Sequence, residues 1–231
     1  MKNGDRTNRS DGKIAILVDG GFYRRRAFDA FGDVNPEERA KELINYCNRH
    51  LKENHVQHDL YRIFYYDCPP MEKVLMHPLT RKNVDFKKTK DFAWANAFHN
   101  ELKQKRKVAL RFGKLSDAQA KFVLKKDAMK KIFTESGVNT DSICEDDFVL
   151  EVKQKGVDMR IGLDIASLSY KKQVTQIVLI SGDSDFVSAA KLARREGIDF
   201  VLDPLGAKVK PDLFEHIDGL RCCDKKFKIR K

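Results

Sequence analysis

The sequence predicts an α/β fold, a doubly wound and mainly parallel sheet with flanking helices and an elaborated middle region. Three observations lead there. The runs Ile14–Val18 and Ile177–Ile180 are apolar at every position, the pattern of strands buried on both faces. Strand-like and helix-like segments alternate along the chain, which sets successive strands side by side and parallel. Both runs end in glycine and aspartate, Asp19-Gly20-Gly21 and Ser181-Gly182-Asp183-Ser184-Asp185. In such a sheet, ligands bind beyond the carboxyl ends of the strands.

Taken in order, residues 1–12 are polar and read as a disordered lead. The first strand spans 13–19. Residues 22–30 form a helix or a loop carrying Arg24-Arg25-Arg26. Pro36 opens a helix to about Leu51, with Ala40, Leu43, Ile44 and Cys47 on one side. Residues 58–67 form a strand ending in Asp67, and Pro69-Pro70 breaks it. From 71 to 150 the chain becomes rich in Lys and Arg and reads as an insertion, with helices over 92–105 and 118–132. Residues 108–115 look like a strand bent at Gly113, and 148–152 like another. A helix covers 158 to about 172, the strand Ile177–Ile180 follows, and the next helix starts at Ser184 or Asp185 and stops at Gly197. Phe200–Leu202 is a strand ending in Asp203, and 214–217 a short helix. The expected organisation is one domain over 13–220 and a basic tail over 221–231.

Composition narrows the partners. In 231 residues, 45 Lys and Arg oppose 34 Asp and Glu, a net charge of +11. That excess favours an anionic partner, and nucleic acid is the commonest. No apolar run approaches a membrane span, and the polar start lacks a signal-peptide centre. A cytoplasmic protein with no membrane partner is expected. The five cysteines show no Cys-x-x-Cys pairing, which argues against a zinc site or a disulfide framework.

The acids carry the chemistry. If the two strands are neighbours, Asp19, Asp183 and Asp185 meet at one edge, repel one another and raise each other's pKa. A divalent cation relieves that repulsion. The helix after Lys155-Gly156-Val157 adds Asp158, which also fits an N-cap, and Asp164. Six residues apart on a regular helix, these two lie about 120° round and roughly 9 Å along from each other, too far for one small shell. Asp164 sits in an apolar turn and needs solvent, a cation or hydrogen-bond donors. Asp185 stands at a helix start and is read as a cap first and a ligand second. Hard oxygen ligands without His or Cys suit Mg²⁺, with Mn²⁺ as the substitute.

The segments Ile16–Phe22, Lys155–Asp158 with Asp164, and Val178–Phe186, in this order and spacing, resemble the NYN domain family, in particular its bacterial LabA-like branch. The resemblance covers 13–67 and 150–205. It implies a PIN-like nuclease fold and a Mg²⁺-dependent ribonuclease acting in RNA processing or decay. It assigns Asp19, Asp158, Asp183 and Asp185 to catalysis and metal binding, and Asp164 to the metal. Gly21-Phe22 departs from the family, where many members carry Asn just after the first Asp, so an amide near the metal is missing there.

Substrate phosphates would be held by Lys155, which lies in the matching motif, with Lys153 and Arg24, Arg25 and Arg26. Arg111, in an apolar strand, needs either a phosphate or an acid. Tyr65, Tyr66, Phe92 and Trp94 either stack bases or fill the core. The leading reading is an endoribonuclease acting on single-stranded or structured RNA, with a homodimer left open. The alternative is a catalytically weak RNA-binding or regulatory protein on the same fold. A covalent aspartyl mechanism wants a second acid two residues after Asp19, where Gly21 stands.

Overall fold

The computed structural model describes residues 8–53, 55–134, 137–138, 140 and 143–228. Its centre is strand β1 (Asn8–Asp19), whose Ile14, Ala15, Ile16, Leu17 and Val18 are wholly buried. An unbroken apolar run can be buried only between two layers, and both layers are present. After β1 come helices α1 (Gly20–Phe31) and α2 (Pro36–Arg49), strand β2 (Val56–Asp67), helix α3 (Lys90–Lys103) and strand β3 (Val108–Phe112). Helix α4 (Val157–Tyr170), strand β4 (Gln176–Ile180), helix α5 (Val187–Arg195) and strands β5 (Asp199–Asp203) and β6 (Gly219–Leu220) follow.

The strand order is β6-β5-β4-β1-β2-β3, parallel throughout, with Lys52–Glu53 antiparallel beside the start of β2. Ile14, Ile16 and Val18 face the layer of α1, α2 and α3, where Tyr23, Leu43, Tyr46 and Phe98 are buried. Ala15 and Leu17 face α4 and α5, against Ile161, Ile165, Ala190 and Ala193. The chain thus winds one way from β1 and the other way from β4. The two strands lie side by side with Val18 opposite Ile180, so the ends of both open on the crevice where the winding reverses. Among the described residues no helix is long and apolar enough to cross a membrane.

Several expectations change. Strand β1 begins at Asn8, inside the expected lead; residues 1–7 lie outside the described ones. Residues 118–132 are not one helix. Lys121–Leu124 pairs antiparallel with Phe148–Glu151, and the helix is confined to Lys126–Ile132. The strand wins because Phe122 packs on His77, which also meets Phe148, in a small satellite core. The last helix is Pro211–Phe214, not 214–217, since proline favours the first turn. Of the presumed insertion, 90–112 supplies α3 and the edge strand β3 of the main sheet. The expected basic tail is packed as far as it is described. Phe227 is buried against Phe31 and Tyr46, and Arg26 donates to its carbonyl at 2.9 Å.

Two further strands also end in aspartate, and both carboxylates are buried with partners. Asp203 takes bonds from Tyr46 Oη, His50 Nε2 (2.9 Å) and the Leu205 amide (2.8 Å). Asp67 pairs with Arg24 and accepts from His99 Nε2 (3.1 Å), Tyr65 Oη (3.3 Å) and the Cys68 amide (2.8 Å). Burial, helped by the Arg24 and Lys103 charges, pushes the His99 pKa down to about 4. His99 is therefore neutral in the fold, while the unfolded chain takes up its proton near pH 6.5. Stability linked to His99 is complete above that pH and is lost as the pH falls through about 4. Urea titrations of wild type and His99→Gln should converge in their pH dependence above about pH 7 and diverge below 6, with the variant losing less. Parallel curves would show that His99 does not titrate this way.

Candidate active site

Asp19 ends β1. Its carboxylate accepts the Phe22 amide at 3.1 Å, capping α1, and the Ser181 hydroxyl at 3.2 Å, tying β1 to the end of β4. Ser181 in turn accepts the Asp183 amide at 3.2 Å. Asp183 Oδ1 accepts the Asp185 amide at 3.0 Å and so caps the single turn Ser184–Phe186. The capping role expected of Asp185 thus belongs to Asp183, which leaves the exposed Asp185 side chain free of it. Nor is Asp158 a cap. Helix α4 starts at Val157, and its cap is Gly156 at φ 77°, a left-handed conformation that glycine adopts without strain. The Asp158 carboxylate stands in the first turn without a capping bond.

Glycines let these ends close up. A Cβ on Gly182 would lie 2.4 Å from the Phe22 ring, and one on Gly20 2.6 Å from the Tyr66 carbonyl. The start of α1 therefore packs directly on the loop after β4 through Phe22, and on the end of β2 through Gly20.

Electrostatics separates this crevice from the other strand ends. Burial is the largest influence on Asp19 and raises its pKa; the Phe22 and Ser181 hydrogen bonds oppose it, while Asp158 and Asp183 raise it further. Asp158 is raised by burial and then by Asp183 and Asp185. Among the described residues no Lys, Arg or His forms an ion pair with Asp19, Asp158, Asp183 or Asp185. Asp67 and Asp203 have their donors; these four carboxylates have one another.

The remaining expected residues divide. Asp164 accepts from Tyr66 Oη at 2.8 Å and Arg111 Nε at 3.1 Å. Asp164 and Arg111 thus meet each other's needs, the acid being the alternative to a phosphate that Arg111 called for. Arg24 is held by Asp67 and Tyr65, and Arg26 by the Leu205 and Phe227 carbonyls, so both serve the fold. Arg25 is exposed, as are Lys153 and Lys155. Tyr65 and Tyr66 are wholly buried and cannot stack on a base, while Trp94 stacks on Phe98.

One residue escaped the sequence reading. Gln154 pairs with Leu115 in a short ribbon, Gln154–Lys155 against Lys114–Leu115. Its carboxamide lies 3.8–3.9 Å from where a Cβ on Gly21 would sit, and Asp19 Oδ1 is 3.7 Å from the same point. Gln154 and Asp19 thus both border the open side of Gly21.

The donor set has the chemistry of a hard divalent cation. Among the described residues, no three His, Cys, Asp or Glu side chains converge so as to share one ion.

The chain matches the NYN domain family over residues 77–209, more than half its length. The span contains Asp158, Asp183 and Asp185 and begins after β1 and β2, so Asp19 joins the group through the fold. The match identifies the family, not the LabA-like branch. A crystal structure of a protein of unknown function from Vibrio parahaemolyticus RIMD 2210633 is similar at 15% identity, with 94% of this chain and 98% of that one covered and a TM-score of 0.47. No curated protein matches the chain.

An acid with a raised pKa stabilises the fold below its unfolded pKa, and that contribution is lost as pH rises through the folded value. At neutral pH the charged Asp19 therefore weakens the metal-free protein. Asn caps a helix as well as Asp. Asp19→Asn should melt higher than wild type at pH 7 in EDTA, and Mg²⁺ should raise the wild-type melting temperature while leaving the variant's unchanged. A lower-melting variant would contradict the repulsion.

Proposed function

Because the chain belongs to the NYN domain family, nucleases of PIN-like fold, we propose that it is a metal-dependent endoribonuclease working at the crevice between β1 and β4. One observation carries this reading, the mutual repulsion of carboxylates at the switch point, which have no ion-pair partner among the described residues. One or two of Asp19, Asp158, Asp183 and Asp185 would hold Mg²⁺ or Mn²⁺ directly, and the others would act through bound water; when bound, the ion would supply a water of lowered pKa and neutralise charge on the attacked phosphate.

The protein's own groups prepare the site. The Phe22 amide and Ser181 hydroxyl fix Asp19 in one orientation, so the carboxylate is in place before substrate arrives. Asp183 is fixed likewise by its bond from the Asp185 amide. The Gln154 carboxamide offers a neutral donor beside Asp19. Lys155, three residues before Asp158, brings positive charge to the phosphate backbone. RNA is the substrate that this metal chemistry and a net charge of +11 suit together.

Purified protein with labelled RNA and Mg²⁺ or Mn²⁺ should yield internal cleavage that EDTA abolishes. Asp183→Asn should lower the rate on the order of 100-fold or more. The rate should climb with pH through the raised Asp19 pKa, since only the ionised carboxylate holds the cation. Tight binding without cleavage in either metal would replace this reading with an RNA-binding protein.

A further inference from the structure

A groove of about 600 Å³ opens at the start of α4, lined by residues on both sides of Asp158 in sequence. One wall is the ribbon, with Lys114 and Leu115 on one strand and Lys155 on the other, and the second wall is the start of α4, with Met159 and Arg160. The two walls are locked closely. A Cβ on Gly113 would lie 2.6 Å from the Lys155 carbonyl and 2.9 Å from Val157, so only glycine lets the ribbon settle on the helix start. The ribbon also reaches the acidic crevice, because Gln154, one residue before Lys155, stands beside Asp19. The groove therefore leads away from the carboxylates along the same two elements that bring Gln154 and Asp158 to them.

Its lining has two kinds of chemistry. Among the described residues Lys114, Lys155 and Arg160 form no ion pair; the guanidinium of Arg160 has only a long bond of 3.4 Å to the Gly156 carbonyl. One acid, Asp117, lies among them, so the groove stays cationic. Leu115 and Met159 are apolar, and Met159 is 63% exposed. Cations at the rim with an apolar surface between them suit a ligand carrying phosphates on one edge and flat, unpaired bases on the other. In a duplex, base faces are stacked on one another and only phosphates would meet this surface.

We infer that this groove binds the single-stranded RNA flanking the cleaved bond, with phosphates on Lys114, Lys155 and Arg160 and a base against Met159. It makes the ribbon of the middle region part of the binding site. The inference rests on the ribonuclease reading for its substrate, and its test is of binding alone.

The test is fluorescence anisotropy of the full chain, in EDTA, with a labelled 12-nucleotide single-stranded RNA and with the same strand in a duplex. The wild type should prefer the single strand. The double variant Lys114→Ala/Arg160→Ala should bind it at least tenfold more weakly. Its log–log salt slope should become shallower by about 0.7 for each phosphate that is no longer neutralised. Met159→Ala should weaken binding a few-fold with the slope unchanged, and Lys191→Ala, an exposed charge on α5, should change nothing. Circular dichroism melts confirm that each variant is folded. Equal binding by the double variant and Lys191→Ala, or preference for the duplex, overturns the groove. If the wild type cleaves RNA while the groove variants bind normally, the groove fails and the ribonuclease stands. If the groove variants lose binding and nothing cleaves, the groove stands and the ribonuclease fails.

Discussion

A strand buried on both faces can carry charge only at its end. This constraint shapes the molecule. From Ile14 to Val18 and from Gln176 to Ile180 every residue is buried, so the first carboxylates available to these strands are Asp19 and, past Ser181-Gly182, Asp183. The two strands are neighbours in register and their following helices leave to opposite faces, so the ends of both meet at the crevice. Polar groups forced to the ends of the sheet accumulate where the fold leaves an opening.

Four strand ends of the main sheet carry acids, and the fold treats them in two ways. At Asp67 and Asp203 the neighbouring helices turn Arg24, His99, Tyr46 and His50 inward, and each charge is hydrogen-bonded in place. At β1 and β4 the donors are amides and a hydroxyl, and the charges that act on Asp19 are those of Asp158 and Asp183. Removing a partner from Asp67 would leave an unpaired buried charge and cost about 3–5 kcal/mol. At Asp19 the unfavourable interaction is already present. Such a repulsion is relieved when a proton or a cation joins the cluster.

Much of this was legible in the sequence for a physical reason. Burial on two faces leaves an unmistakable composition, so β1, β4 and the aspartates after them could be read directly. Side-chain partnership leaves no local trace. Arg24 and Arg26 stand in one basic triplet, yet one meets Asp67 and the other the carbonyls of Leu205 and Phe227, partners 43 to 201 positions away. Asp164 and Arg111 were each recognised as needing compensation, but their pairing depends on β3 lying beside β2, next to Tyr66. The caps at Asp183 and Gly156 turn on backbone angles that composition does not specify. Lys121–Leu124 became a strand because Phe148–Glu151 was there to pair with it.

The arginine triplet and the ribbon show how the middle region takes on a role that local charge suggested for α1. Of the triplet, Arg24 and Arg26 are committed to the fold and Arg25 alone is exposed. The ribbon adds Lys114 on one strand and Lys155 on the other. The ribbon can stand there only because Gly113 admits its close approach to the start of α4. The same ribbon brings Gln154 to the gap at Gly21. The residues that complete the crevice thus lie between positions 113 and 160, far in sequence from Asp19. A change in the middle region that shifted the ribbon would alter both the amide beside Asp19 and the charge along the groove, with every acid still in place.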